Sequence, residues 1–147
     1  YLGSARYELI KEVKNLLTIP VIVNGDIDSP QKAKQVYEQT GADGIMIGRA
    51  GQGQPWIFRD IAHYLKTSEI LPSPTMDELK EIVLSHLQEI YAFYGEYSGC
   101  RIARKHIAWY TSGIANSNAF RQAMYEEDTT TGQFNVVARF LKTAEFD

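Results

Sequence analysis

The chain has 147 residues, 44% of them hydrophobic and 22% charged, with a formal net charge of -3 at pH 7. That length suits one ordinary globular domain or two small ones, and it falls short of the about 250 residues of a complete eight-stranded α/β barrel. The longest apolar runs, Ile19 to Val23 and Ile45 to Ile47, are strand-sized against the roughly 18 to 20 residues of a membrane-spanning helix, which excludes such a helix.

The chain opens on Tyr1-Leu2-Gly3-Ser4-Ala5-Arg6, with neither an initiator Met nor the basic-then-apolar layout of a secretory signal, and reads as a piece of something longer. Tyr7 to Leu17 carries Leu9, Ile10, Val13, Leu16 and Leu17 at the spacing of one helical face. Ile19 to Val23 is a run without polar alternation, which predicts a strand buried on both faces of a parallel sheet. It ends at Asn24-Gly25-Asp26. Asp28 or Ser29 caps the next helix, with Pro30 at its first position and Gly41 as its stop. Gly44 to Gly48 is a second strand, completing a βαβ unit. Gln54 to Lys66 predicts a helix, and Thr67 to Pro74 a linker.

From Thr75 onward only helical patterns appear. Thr75-Met76-Asp77-Glu78 has the form of a capping box and opens an amphipathic helix with Leu79, Ile82, Val83, His86, Leu87, Ile90 and Phe93 on one stripe, ending at Gly95. Further helices are expected at about Ser98 to Ser112, Ser117 to Tyr125 and Thr131 to Ala144. The organisation is thus a βαβ portion over 1–66 joined to an all-helical domain over 75–147.

Two constellations carry chemistry. Asn24-Gly25-Asp26 follows the first strand, and Gly48-Arg49-Ala50-Gly51-Gln52-Gly53 follows the second and leads into a helix. In parallel α/β folds ligands bind beyond the carboxyl ends of strands, where glycines let backbone N–H groups approach an anion and a helix start adds a favourable dipole. These loops therefore read as a phosphate cradle, with Arg49 as a fixed positive charge, or as ordinary turns with Asp26 as a cap. The third glycine of a dinucleotide fingerprint is missing from Gly51 to Trp56.

The second constellation is Arg101, Arg104 and Lys105 with Ala108 along one helical face, in a stretch, residues 99–125, that contains no acid. It suits contacts to a phosphate backbone, and reads equally as a solvated face. Acidity concentrates instead over 61–98, so the chain is no indiscriminate polyanion binder. Arg121, Arg139 and Lys142 are further cations of the helical domain, on later helices.

The remaining candidates read as structural. Cys100 lies roughly 120° around the helix from His106, forms no thiolate–imidazole pair, and, as a single cysteine, fits a reducing compartment with the cytoplasm as default. His63, His86 and His106 lack Cys or carboxylate partners at metal-ligand spacing, so no metal site is expected. Trp56, Phe58, Phe93, Tyr94, Trp109 and Tyr110 recur at helical spacing and are expected to pack.

The order of these motifs, Ile19-Pro-Val-Ile-Val-Asn-Gly-Asp-Ile27, Thr40-Gly-Ala-Asp-Gly-Ile-Met-Ile-Gly-Arg-Ala50, Gln54-Pro-Trp-Ile-Phe58 and Arg101-Ile-Ala-Arg-Lys-His106 with Trp109-Tyr110, resembles the tRNA-dihydrouridine synthases, most like the bacterial B type. The resemblance implies α/β plus all-α architecture: strands seven and eight of an FMN-binding TIM (β/α)8 barrel, followed by a helical tRNA-binding domain. It places Asn24, Gly25, Asp26, Gly48 and Arg49 at FMN, mainly around the phosphate, and Arg101, Arg104 and Lys105 at tRNA. The implied reaction reduces a D-loop uridine to 5,6-dihydrouridine, with NADPH as reductant of FMN. The family's catalytic cysteine belongs to the first half of the barrel, so no catalytic residue is assigned here and this portion alone is expected to be inactive. The open barrel edge is expected to favour self-association. Two other readings of the same residues are another FMN- or phosphate-binding barrel oxidoreductase, and a non-catalytic RNA-binding helical module.

Overall fold

The structure, a computed structural model, describes residues 5–146. Its contacts divide the chain into two units, one ending at Pro72 and the other beginning at Ser73.

In the first unit the order is α1 (Tyr7–Leu16), β1 (Ile22–Asn24), α2 (Pro30–Thr40), β2 (Gly44–Met46), a 3₁₀ turn (Arg49–Gly51) and α3 (Ile57–Thr67). β1 and β2 pair in parallel with Val23 opposite Ile45, and α2 forms the crossover. Its ends follow the sequence signals: Ser29 Oγ accepts from Lys32 N at 3.3 Å, Pro30 opens the helix, and Gly41 closes it at φ 65°. Val23, Ala33 and Val36 are sealed from solvent and pack with Ile27, Ala42, Ile57 and Ile61.

Two expectations fail here. β1 is not buried on both faces: Val23 is enclosed, but Ile22 is 58% exposed, because α2 covers one face of the strand pair and leaves the other open among the described residues. Likewise α1 buries only Tyr7, with Ile10 half-buried beside it, while Leu9, Val13, Leu16 and Leu17 remain exposed.

The second unit is α4 (Met76–Tyr110), α5 (Ser117–Glu126) and α6 (Thr130–Thr143), with one isolated antiparallel bridge between Ile114 and Phe146. The capping box forms as expected: Thr75 Oγ1 accepts from Glu78 N while Glu78 Oε2 accepts from Thr75 N at 2.7 Å. α4 is two helical arms broken at Gly95, whose φ 74° and ψ -177° lie in a region essentially closed to residues with a Cβ. Beyond it the chain doubles back, so that His86 Nδ1 lies 3.0 Å from Tyr110 Oη. A Cβ on Gly99 would sit 3.2 Å from the Tyr91 Cα, so the first arm approaches the second at a glycine.

Leu79, Val83, Leu87 and Ile90 of the first arm and Ala103 and Ile107 of the second are buried together with Met124 of α5 and Val137 and Leu141 of α6. One polar group sits among them. Gln133, fully enclosed, accepts from Tyr91 Oη at 2.8 Å and donates to the Cys100 carbonyl at 3.1 Å, so both functions of its amide are satisfied. Burial pushes the Tyr91 phenol well above its ordinary value, which keeps it a neutral donor.

We expect Gly95→Ala and Gly99→Ala each to destabilise the chain by about 1–3 kcal/mol, the first through backbone strain and the second through the clash with Tyr91. Gly113→Ala, where an added Cβ meets open space, is the near-neutral control. Urea unfolding followed by circular dichroism checks all three.

Candidate functional site

The C-terminal ends of β1 and β2 open on one cleft of about 760 Å³, lined by Asn24, Gly25, Asp26, Ile27, Asp28, Gly48, Arg49 and Ala50. The five residues singled out as a cradle thus meet around one space. Gly25 turns the chain at φ 131° and Asp26 follows at φ 47°, which aims the Asp26 carboxylate back across the cleft. Its Oδ2 accepts from Ala5 N at 2.9 Å, and its Oδ1 accepts from Arg49 Nη2 at 3.4 Å. The guanidinium remains 71% exposed at the rim.

The segment after Gly48 leads into a helix as expected, but later than expected: a short 3₁₀ turn comes first, and α3 starts at Ile57 rather than Gln54, behind Trp56, which makes no side-chain cap bond.

A residue missed in the sequence also shapes this cleft. Tyr7 Oη donates to the Gly25 carbonyl at 2.6 Å, and its ring lies 5.1 Å from Lys32 Nζ. Burial first, then the nearby Asp26, raises the Tyr7 phenol above its ordinary value, so it stays protonated and can donate. The available signal was an aromatic with a polar tip at the start of an otherwise aliphatic helix.

The basic segment divides by function. Arg101 and Lys105 are exposed, whereas Arg104 turns inward, its Nη2 donating to the Glu127 carbonyl at 3.1 Å and to Asp128 Oδ1 at 3.2 Å. Cys100, buried beside it, donates to the same carbonyl at 3.3 Å. Burial pushes its thiol up, away from a reactive thiolate. Arg104 and Cys100 together fasten the link between α5 and α6. Arg121 is occupied on its own helix, donating to Asn118 Oδ1.

The histidines of the second unit form part of its packing. The His86 and His106 rings meet edge-on at 5.0 Å, and His106 meets Trp109 at 5.1 Å. Burial lowers both below the ordinary histidine value, so both are neutral at pH 7. Among the described residues no three His, Cys, Asp or Glu side chains could hold a metal ion, and no helix is long and apolar enough to cross a membrane.

Three of the six aromatics expected to pack do not. Phe58 is 53%, Phe93 81% and Tyr94 48% exposed, the last two because they lie beside the Gly95 reversal at the end of the first arm.

Comparison with known proteins gives one consistent answer. Residues 1–145 match the family described as Dihydrouridine synthase (Dus). The chain is 49% identical over 141 residues to tRNA-dihydrouridine synthase B of Pseudomonas aeruginosa, covering 96% of this chain and 42% of that protein. It is 50% identical over 133 residues to the protein of the same name from Xanthomonas axonopodis pv. citri, covering 90% and 40%. The Vibrio vulnificus counterpart is 49% identical over 145 residues, covering 94% and 45%. The chain therefore spans about two-fifths of the length of the curated relatives it matches.

Because Arg104 fastens the α5–α6 link, Arg104→Ala is expected to lower stability by about 1–2 kcal/mol, whereas Arg101→Ala and Lys105→Ala leave it nearly unchanged. Thermal unfolding of the three variants distinguishes these roles.

Proposed function

The chain belongs to the dihydrouridine synthase family, and from that premise we propose that it is the C-terminal portion of a B-type tRNA-dihydrouridine synthase, contributing the FMN-phosphate site and a tRNA-binding helical unit. The observation that carries this reading is the convergence of Asn24, Gly25, Asp26, Gly48 and Arg49 on one cleft at two parallel strand ends, in a chain of this family. The exposed face of β1 with Ile22 is, in this reading, the inward face of a barrel, and its open edge the place where further strands or a second copy would join.

The residues around the cleft fit the phosphate end of FMN. An added Cβ at Gly48 would meet nothing within 4 Å, so the backbone there is accessible to an anion, and Arg49 presents its guanidinium at the same rim. The Asp26 carboxylate would oppose an anion, but its two oxygens are engaged by Ala5 N and Arg49. Asn24 and Gly25 would hold the group through polar and backbone contacts, with Tyr7 fixing the Gly25 peptide. FMN held there, once reduced by NADPH, would supply a hydride to one carbon of the uridine C5–C6 bond, and a proton from an acid would have to reach the other carbon to complete the saturation. Cys100, buried in the second unit and donating to the Glu127 carbonyl, does not serve as the acid; the family resemblance implies that the catalytic cysteine belongs to the first half of the barrel, and in this reading this portion alone forms no dihydrouridine. Arg101 and Lys105 would meet the tRNA backbone, while Arg104 positions the segment beneath them. A tRNA substrate and the unpaired thiol of Cys100 support reading the protein as cytoplasmic.

Two measurements test the assignment. Arg49→Ala should weaken binding of FMN by roughly tenfold, the scale of one lost bond to a charged group, and leave binding of riboflavin, which lacks the phosphate, unchanged. Equal losses for both ligands in a fluorescence titration would remove Arg49 from the phosphate site. The chain should also bind an unmodified tRNA transcript with an affinity that falls as salt rises, and Arg101→Ala or Lys105→Ala should each reduce the log–log salt slope by about one. A salt-insensitive complex, or none at low salt, argues against the helical unit as a tRNA surface.

A further inference from the structure

After the Gly95 reversal, Tyr97, Arg101, Lys105 and Trp109 recur every four residues and so form one stripe along the second arm of α4. Rings and cations interleave along it. The Arg101 guanidinium lies 5.2 Å from the Tyr97 ring and its Nη1 donates to Tyr97 Oη at 2.9 Å, while Lys105 Nζ lies 5.9 Å from the Trp109 ring. Tyr97 is 72% exposed, and Phe93 and Tyr94, packed edge-on at 4.8 Å, expose further ring surface at the same reversal. The acid next in sequence, Glu96, is not ion-paired with these cations: it accepts from Thr130 N at 2.9 Å and Thr130 Oγ1 at 2.7 Å, at the start of α6.

Phe93 and Tyr97, 81% and 72% exposed, bury little of their ring area within the unit, so packing there does not account for them. Their chemistry favours a partner with flat π-faces and negative charge on the same strand. An unpaired nucleotide has both, since its base stacks on a ring and its phosphate meets the adjacent cation.

Resting on the tRNA reading above, we propose that the Tyr97–Arg101–Lys105–Trp109 stripe is a stacking platform for unpaired bases of the RNA, with Tyr97 as its leading ring and the Arg101 guanidinium beside that ring as its adjacent cation. The ring supplies sequence-tolerant affinity, and the cations supply the salt-dependent part. The two contributions are therefore separable.

Affinity for an unmodified tRNA transcript and for a single-stranded oligouridylate is measured at several salt concentrations with the full chain, Tyr97→Ala, Tyr97→Phe and the Arg101→Ala/Lys105→Ala double variant. Tyr97→Ala should weaken both RNAs by about tenfold with the salt slope unchanged, and Tyr97→Phe, which keeps the ring, should bind like the parent. The exposed position of Tyr97 leaves the fold intact, which circular dichroism verifies. If Tyr97→Ala binds like the parent while the double variant binds more weakly, contact is through phosphates alone and the platform is refuted with the tRNA reading standing. Equal loss in Tyr97→Ala and Tyr97→Phe also refutes it, by assigning the effect to the hydroxyl. Failure of the parent chain to bind either RNA at low salt overturns the tRNA reading and the platform together. A change confined to self-association, seen by sedimentation, assigns the rings to a protein contact and refutes the platform.

Discussion

Reversing a helix without a separate loop requires one residue to leave the helical region while its neighbours on both sides stay in it. At Gly95 that residue takes φ 74° and ψ -177°, and it alone leaves the helical region between Met76 and Tyr110. Most of the second unit depends on this reversal. It brings His86 to Tyr110 and places Gly99 under Tyr91, and so it sets the two arms close enough for Leu79, Val83, Leu87 and Ile90 to share a core with Ala103 and Ile107. Gln133 of α6 then links Tyr91 of one arm to the Cys100 carbonyl of the other, so a buried amide specifies which part of α6 faces the hairpin. The same reversal leaves Phe93, Tyr94 and Tyr97 at its outer edge, where no described helix covers them.

The first unit is organised from its opposite end. The Asp43 carboxylate accepts from Lys14 Nζ at 2.8 and 3.0 Å and from Val21 N at 2.7 Å, while Asp43 N donates to the Val21 carbonyl at 2.8 Å. One side chain thereby ties α1 to the entry of both strands, and the Lys14 ammonium with the Val21 amide holds the carboxyl below its ordinary value. With the amino-terminal ends pinned, the carboxyl-terminal ends are left to loops. Those loops carry Gly25 and Gly48, and the cleft between them is the place where a parallel pair offers backbone groups to a ligand.

Local signals in the sequence were legible where the physics is local. Ser29, Pro30 and Gly41 bound α2, and Thr75 with Glu78 opens α4, because caps act within one turn. Gly95 was readable as the end of a helix, but not as a hairpin, since a stop and a reversal differ only in what the chain does next. The family, too, was legible, through the spacing of its motifs, and the matches over nearly the whole chain show it. What failed was inference of burial from apolarity. Ile22, Leu16, Phe58 and Phe93 are all large and apolar, yet whether each is covered depends on which element arrives opposite it, a fact with no local signature.

The fate of the cations follows the same division. Arg101, Arg104 and Lys105 are equivalent as sequence, three charges within five residues, but a helix turns by about 100° per residue and carries Arg104 off the line that joins the other two. On that side its Nη2 meets the Glu127 carbonyl and Asp128, one nitrogen serving a backbone acceptor and a carboxylate together. Its charge is spent on the α5–α6 link. Arg101 and Lys105, on the exposed line, rest against the Tyr97 and Trp109 rings, contacts that orient a cation without neutralising it. The acidic side chains nearest this face are occupied, Glu96 with Thr130 and Asp128 with Arg104. A chain that is acidic overall thus keeps Arg101 and Lys105 exposed and outside any salt bridge among the described residues, while Asp128 is paired with Arg104, and it does so by the placement of a few contacts rather than by composition.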